Sequence, residues 1–479
     1  MQSINFENYK SEDFYDEMFT NDKTVRPTYD LFKEKLEKLG WKKLNSLQHA
    51  TYRAQLSMGM TFNVYSDNQG TERILHLDII PRIIQGAEWK KLEKGLEQRI
   101  TALNLFIQDI YNEQKILKNK IIPRELIESC TTYVKQCKGF TPPRKIWCHI
   151  TGTDLIRNSD GQYYVLEDNL RCPSGVSYLL ENREILKRTF PELFTKLDVR
   201  PVYDYTHILR NILETLPQAK TNKIVLLTPG MYNSAYFEHS YLAQQIGAEL
   251  VEGGDMVVRD NMVYMYTTKG LKRVDVIYRR IDDEYLDPIC FKNDSMLGTP
   301  GLFEAYKKGN VTLVNAPGTG VADDKAVYRY VPDIIKYYLG EEMIIPNVET
   351  FVCWNEKDLN YTLENIHNLV VKQTDASGGY GMLIGPKSTK QQQEDFKKLI
   401  KKNPRKYIAQ PVINLSRVPT LTGDSIEGRH VDLRPYILYG KDGIKIIPGA
   451  LTRVALKKGS LVVNSSQGGG CKDTWVLNN

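Results

Sequence analysis

Residues 150–175 read ITGTDLIRNSDGQYYVLEDNLRCPSG and carry the pattern that decides the fold. Residues 151–157 and 162–167 have the composition of two short β-strands. The Asn-Ser-Asp-Gly sequence between them, at 158–161, is a strong turn signal because Asp-Gly tolerates a positive φ. The stretch therefore predicts a β-hairpin.

Polar side chains with oxygen atoms are spaced along this hairpin. Asp154 lies on the first strand, and Glu167 and Asn169 lie two positions apart on the second, so the latter two point to one face. Two carboxylates and an amide oxygen suit a hard cation such as Mg²⁺. The same spacing also fits an ordinary polar hairpin with a solvated face, and spacing alone favours that second interpretation.

Composition sets limits on the class of protein. The 479 residues are enough for about three domains. With 41% hydrophobic and 25% charged residues the chain is globular in composition, which excludes a disordered or collagen-like protein. A net charge of +6 over this length gives no reason to expect nucleic acid as a partner.

The sequence shows no sign of a membrane segment, a secretory signal or a disulfide framework. No apolar run approaches the ~18 residues of a membrane helix, and no secretory signal is visible, so we expect no membrane partner and a cytoplasmic location. The seven cysteines include no CxxC pair, which argues against a disulfide framework or a structural zinc site.

The chain divides into four segments by pattern. Residues 1–148 are predicted to be mainly helical, with helices at 29–39 and 92–117 and a strand pair at 61–65 and 74–80. Residues 149–221 contain the hairpin. Residues 222–330 alternate strands and helices, which suggests a parallel sheet. Residues 331–479 are rich in strands. Strands are expected in the last two segments at 224–227, 249–251, 274–278, 311–314, 369–373, 382–384, 407–410, 430–439, 444–448 and 461–464.

A second stretch that could carry chemistry is 370–382. Lys372 lies on a predicted strand, and a glycine-rich turn at 377–381 follows it. Glycines let backbone amides approach phosphate oxygens closely, and a lysine neutralises phosphate charge. The stretch lacks the Walker pattern. A plain hairpin with a flexible loop fits it equally well.

Further candidates follow along the chain. The strand ending at Gln410-Pro411 could offer backbone groups to an adenine edge, although most such strands are only core. Arg434 and Arg453 could bind phosphate or carboxylate in fork geometry, although surface ion pairs are the default for single arginines. Asn464 begins a stretch that ends in three glycines.

The order of these motifs from 372 to 470 resembles the nucleotide-binding half of ATP-grasp ligases of the glutathione-synthetase and glutamate-ligase type. In those proteins a hairpin ending in Glu-x-Asn follows, whereas here it lies upstream, at 154–175. The chain is therefore similar, over nearly its whole length, to the circularly permuted type 2 ATP-grasp family, and more remotely to the synthetase part of glutathionylspermidine synthases. The resemblance implies an α/β (α+β) fold. It would comprise the N-terminal helical region 1–148, the permuted segment 149–221, a Rossmann-like pre-ATP-grasp domain 222–330 and the nucleotide-binding subdomains 331–479.

The resemblance also implies roles for individual residues. Asp154, Glu167 and Asn169 would bind magnesium, and Lys325 and Lys372 would contact ATP. Gln410 and Val412 would frame the adenine, and Arg434 and Arg453 would act on the transferred phosphate or the carboxylate. The remaining nucleotide-binding positions would be Ser377, Gly378, Gly379, Gly381 and Asn464.

The implied activity is an ATP- and magnesium-dependent carboxylate–amine ligase that forms an amide through an acyl phosphate, acting on small-molecule or peptide substrates. Two alternatives stay open: a catalytically silent nucleotide-binding assembly protein, and a phosphotransferase on the same fold. Arg279, Arg280 and the turn at 229–234 are candidates for substrate contact, with structural roles favoured for each.

Two structural expectations follow. Asp168 interrupts a position that is usually small and apolar in the family, and alternation along the strand predicts that it points away from the metal face. If the chain is permuted, the strand carrying Glu167 should pair with the strands near 461–464.

Overall fold

The computed structural model describes the chain except residues 1–3, 5, 8, 11, 67–68, 217–221, 376–380, 465–467 and 479, and it describes the backbone alone at 63–66 and 69–71. The helices are α1 Asp30–Ser57, α2 Gly86–Tyr111, α3 Lys115–Lys118, α4 Arg124–Glu128, α5 Val176–Thr189, α6 Pro191–Lys196, α7 Asp204–Glu214, α8 Tyr236–Ile246, α9 Leu302–Lys307, α10 Lys325–Tyr328, α11 Val331–Leu339, α12 Glu356–Asn365 and α13 Lys390–Lys402. The strands are β1 Thr61–Ser66, β2 Gln69–Ile74, β3 Leu77–Ile84, β4 Ile150–Arg157, β5 Tyr163–Asn169, β6 Ile224–Leu227, β7 Glu249–Val251, β8 Met256–Arg259, β9 Met262–Thr267, β10 Gly270–Arg273, β11 Val276–Arg279, β12 Thr312–Val314, β13 Phe351–Val352, β14 Leu369–Gln373, β15 Leu383–Ile384, β16 Tyr407–Pro411, β17 Arg417–Thr422, β18 Ser425–His430, β19 Arg434–Gly440, β20 Gly443–Val454 and β21 Gly470–Val476.

A six-stranded sheet joins both ends of the chain. Its strand order is β3-β21-β20-β19-β4-β5, so the predicted hairpin β4–β5 forms one edge. The neighbours are antiparallel except β21 and β3, which are parallel. A strand from the first hundred residues is thus paired with a strand from the last ten.

The two faces of this sheet pack in different hydrophobic cores. Successive side chains on a strand point to opposite faces. Accordingly Ile437 packs in the core that contains α2, while its neighbours Tyr436 and Leu438 pack in the core that contains α1 and α5. Burial is nearly complete, since all eight residues of β4 and all seven of β21 are buried.

Two smaller sheets flank the six-stranded one. The first has the order β12-β11-β6-β7 and is parallel throughout, as the alternation at 222–330 predicts. The second has the order β13-β16-β14-β15. It packs with α12 and α13 around a separate core that includes Val371, Ile400 and Ala409.

The N-terminal segment differs from the prediction in its strands. The predicted helices are present in α1 and α2, but the predicted pairing of 61–65 with 74–80 is wrong: β1 pairs with β2, residues 69–74, and most of 74–80 belongs to β3. The sequence did not indicate that residues 77–84 form β3 and enter the main sheet, because its partner lies almost four hundred residues away.

The predicted pairing of the permuted hairpin is wrong in detail. The strand that carries Glu167, β5, pairs with β4, and residues 461–464 form no strand. The hairpin does lie in one sheet with β20 and β21, as a permuted chain requires. No helix among the described residues is long and apolar enough to cross a membrane.

Candidate functional site

A cleft of about 1030 Å³ opens between the six-stranded sheet and the smaller antiparallel sheet. Its walls bring together residues that lie more than three hundred positions apart in the chain. Of the residues singled out from the sequence, these line it: Asp154, Glu167, Lys325, Lys372, Gln410, Val412, Arg453 and Asn464.

The hairpin supplies the acidic end of the cleft. Asp154 and Glu167 are directly opposite each other on β4 and β5, so both carboxylates are on one face, and the ladder is irregular just after Asp154. Asp154 is 1% exposed, whereas 25% of the Glu167 side chain is exposed. Asn169 Nδ2 lies 3.5 Å from Asp154 Oδ1.

Two arginines hold Asp154. Arg434 donates from Nε at 2.5 Å and from Nη2 at 2.7 Å, and Arg453 donates from Nη2 at 2.6 Å. Arg453 also pairs with the buried Asp432. Burial alone would raise the pKa of Asp154, but the two guanidinium groups outweigh it and hold that pKa well below its usual range. Asp154 is therefore a carboxylate at neutral pH.

The predicted phosphate-binding residues have partners within the protein. Lys372 Nζ donates to Gln410 Oε1 at 2.8 Å, and Gln410 Nε2 donates to Thr350 Oγ1 at 3.0 Å. Lys325 Nζ lies 3.4 Å from Glu167 Oε2. Burial lowers the pKa of the Lys372 ammonium to about 8, although the nearby Glu167 acts in the opposite direction.

The other end of the cleft is apolar. Val412 directly follows the last residue of β16, and Ile413 and Leu415 continue the wall. The remaining apolar wall residues are Ile156, Leu166, Val370, Met382, Ile384, Pro411, Leu461, Val462 and Val463.

The glycine-rich loop is only partly described. Ser377, Gly378 and Gly379 lie outside the described residues. Gly381 has a φ of +64°, and a Cβ there would lie 2.8 Å from Gln373 Nε2. Position 381 therefore favours glycine for both reasons.

The oxygen atoms on this face of the hairpin have the chemistry of a magnesium site, because Asp154 and Glu167 place two carboxylates there. Both oxygens of Asp154 are occupied: Oδ2 accepts from Arg434 and from Arg453, and Oδ1 accepts from Arg434 and lies 3.5 Å from Asn169 Nδ2. Asp154 would therefore bind a cation only after an arginine moves away, whereas a quarter of the Glu167 side chain is exposed. Glu167 and Lys325 also line an adjoining crevice of about 370 Å³, and Asn169 lines this crevice and not the cleft. Within the described parts of the chain, no three His, Cys, Asp or Glu side chains are grouped so as to hold a metal by themselves.

One charged residue of the cleft wall was not predicted from the sequence, and two predicted candidates for substrate contact lie elsewhere. Asp432, two residues before Arg434, was not predicted as a site residue; it pairs with Arg453 in the cleft wall. Arg279 is buried and donates to the backbone of residues 315 and 281. Arg280 is buried against Glu238 and Pro173. Both arginines thus have the structural roles that were favoured for them.

The turn at 229–234 was the third candidate for substrate contact. It places Met231 and Tyr232 at the surface, 63% and 80% exposed.

Comparison with known proteins agrees with the fold. The architecture is that of an ATP-grasp protein in permuted order. The family model "Circularly permuted ATP-grasp type 2" matches residues 81–455, well over half of the chain, and the chain belongs to this family.

Similar proteins occur in bacteria. An uncharacterized protein of Synechocystis sp. is 55% identical over 99% of both chains. A protein of Frankia alni named "Putative glutamate--cysteine ligase 2-3" is 38% identical over 96% of this chain, which spans 54% of that protein.

A solved structure shares the fold. The apo form of a glutathione synthetase-like effector, GSS30, from Globodera pallida superposes with a TM-score of 0.58 at 11% identity. The match covers 91% of this chain and 97% of that one.

Proposed function

We propose that the protein is an ATP- and magnesium-dependent carboxylate–amine ligase that forms an amide bond and releases ADP and phosphate. The observation that carries the proposal is the cleft itself: it places the carboxylates of Asp154 and Glu167, the ammonium of Lys372 and the guanidinium of Arg453 around one space with an apolar far end. Family membership and a ligase-named relative support an ATP-dependent ligase in general.

Charge neutralisation is the main requirement of phosphoryl transfer. Lys372, Lys325 and Arg453 supply fixed positive charge along the cleft. Glu167, Asn169 and Asp154 would hold magnesium, which shields phosphate charge when bound. The apolar wall near Val412 would take the adenine, with backbone groups at 410–412 at its edge.

The ligase mechanism has two steps. A substrate carboxylate attacks the γ-phosphorus of ATP, and ADP leaves with the electrons of the broken P–O bond. An amine then attacks the acyl phosphate carbon: the C–N bond forms, the C–O bond breaks, phosphate leaves with its electrons, and the nitrogen releases a proton. Arg434 and Arg453 both donate to Asp154 on this face of the hairpin, so release of one of them toward the phosphate would stabilise the transferred group.

The test is a screen of carboxylate and amine pools with Mg²⁺ and ATP, read by ADP release and by mass spectrometry of the products. An amide product with ADP supports the proposal. A phosphorylated carboxylate that persists as the product in the presence of amines would identify a phosphotransferase. Nucleotide binding without turnover in any pool would favour the silent assembly protein.

A further inference from the structure

Arg99, on helix α2, forms a buried ion pair directly behind the hairpin. It donates to Asp168 from Nε at 2.8 and 2.9 Å and from Nη2 at 2.7 Å. Only 2% of the Arg99 side chain and 1% of the Asp168 side chain are exposed. Arg99 Nη1 also donates to Asn347 Oδ1 at 2.7 Å. The guanidinium is thus fixed on both sides.

Asp168 stands between the two predicted metal ligands of β5. Since strand side chains alternate, Glu167 and Asn169 point to the cleft face and Asp168 to the α2 face. The ion pair between Arg99 and Asp168 therefore fixes the rotation of β5 about its own axis. That rotation sets where both neighbouring side chains point.

The strand needs such support because it lies at the edge of the sheet. β5 has a strand neighbour on one side, β4, and the ladder between them shifts register just after Asp154. On its open side Val165 bonds to the backbone of residues 346 and 348, at 2.8 and 3.0 Å. The ion pair between Arg99 and Asp168 is the second contact that holds β5, and it lies nearer to Glu167 and Asn169.

We infer that Arg99 and Asp168 are positioning residues that fix the metal-binding geometry of Glu167 and Asn169. This inference rests on the proposed function for the metal site and goes beyond it by giving the N-terminal helical region a role in that site. Substitution of residues that hold metal ligands in place typically changes metal affinity 10–100-fold.

Arg99→Lys is the informative variant. Lysine keeps the positive charge, so Asp168 is not left as an unpaired buried carboxylate, but it cannot donate several bonds in a fixed plane. Asp168→Asn is the second variant, and it keeps the shape of the side chain. Arg183→Lys is the matched control: Arg183 is 5% exposed in its side chain and pairs at 2.8 Å with Asp473 on β21, four strands from β5.

The measurement is binding of Mn²⁺, followed by electron paramagnetic resonance, in the presence of a non-hydrolysable ATP analogue. We expect Arg99→Lys and Asp168→Asn to weaken Mn²⁺ binding about tenfold or more. Arg183→Lys should change it less than twofold. Hydrogen exchange of the β5 amides should rise in the two variants while that of the β20 amides stays the same.

The outcomes distinguish failure of the proposed metal site from failure of the positioning role of Arg99 and Asp168. If the wild-type protein with nucleotide binds no Mn²⁺, the proposed metal site and the inference both fail. If the wild type binds Mn²⁺ and folded Arg99→Lys binds it within twofold of wild type, the inference alone is overturned. If Arg183→Lys weakens binding as much as Arg99→Lys, general loosening of the sheet explains the effect and the inference is likewise wrong.

Discussion

Glu167 is more exposed than Asp154, the other carboxylate of the predicted metal set, and it lines both the cleft and the adjoining crevice. An exposed carboxylate contributes little to core packing, so its removal should spare the fold. We expect Glu167→Ala to lower magnesium-dependent ATP turnover at least a hundredfold with an unchanged melting temperature. Steady-state ADP release and differential scanning fluorimetry measure the two quantities.

Asp160→Asn is the control for Glu167→Ala, because Asp160 is an exposed carboxylate at the turn of the same hairpin. It should leave turnover within twofold. If Glu167→Ala turned over ATP at the wild-type rate, the hairpin would be an ordinary polar hairpin with a solvated face and not a metal site.

Lys372 should make nucleotide binding depend on pH. Its pKa of about 8 lies below the usual 10.5 of a lysine, so the unliganded protein loses this charge as the pH rises through about 8. Phosphate beside the ammonium would favour the charged form and raise its pKa. ATP binding above pH 8 should therefore take up a proton, and affinity should fall by up to about tenfold per pH unit there.

Calorimetry at pH 9 in two buffers of different ionisation enthalpy measures this proton uptake. Lys372→Met should bind ATP more weakly at pH 7 and show no uptake at pH 9. Uptake that persists unchanged in Lys372→Met would assign the proton to another group.

Arg99 shows which kind of residue near the site cannot be found from the sequence alone. Arg99 is one of many charged residues on a long amphipathic helix, and only the packing of α2 behind β5 gives it a partner. The residues that were found, such as Glu167 and Lys372, stand in short local patterns with turn or glycine signals beside them. Contacts between residues that are distant in the sequence have no such local pattern.

At the scale of elements, local patterns located most strands but not their neighbours. The bounds of β6, β7 and β14 agree with the predicted ranges, because each is a short apolar run between turn signals. Residues 461–464 have similar composition but form part of the cleft wall instead. The pairing of β3 with β21 had no local signal, since register between distant strands depends on the whole core.

The segment before α1 contributes one buried carboxylate to the sheet. Glu17 is 3% exposed, contacts Arg82 and accepts from Arg157 Nη1 at 2.7 Å and from Ser416 Oγ at 2.6 Å. Glu17→Gln would leave the buried Arg82 without its carboxylate and take one of two carboxylates from Arg157, which also pairs with Glu88. We expect a loss of about 3–5 kcal/mol in the free energy of unfolding, seen as a lower melting temperature.

Glu12→Gln is the matched control for this element. Glu12 lies in the same segment and pairs with Arg417, but half of its side chain is exposed, so its contribution should be below about 1 kcal/mol. Equal melting temperatures of Glu17→Gln and Glu12→Gln would contradict the role given to Glu17.

At the scale of the whole molecule, the cleft lies between two bodies with separate cores. The small sheet packs around Val371 and Ile400, whereas the six-stranded sheet packs with α1, α2 and α5. A nucleotide in the cleft would contact both and stiffen their relative arrangement. We expect an ATP analogue with Mg²⁺ to slow hydrogen exchange in β14, β16 and β4 together, and to raise the melting temperature.

Asp154→Asn is the comparison for that experiment, because it removes a charge from the sheet side of the cleft alone. It should weaken the coupled protection of β4 and β14. Protection confined to the small sheet in the wild type would mean that the nucleotide does not bridge the two bodies.

The position of β21 has a consequence for synthesis of the chain. This strand leaves the ribosome after every other strand of the sheet, yet it lies inside the sheet, with β3 on one side and β20 on the other. Until residues 470–476 emerge, both neighbours present unpaired edges, and the core lacks the buried Trp475. A product of translation that stops before residue 470 should therefore be held by chaperones or degraded, because the sheet that carries Asp154 and Arg453 cannot be assembled without its last strand.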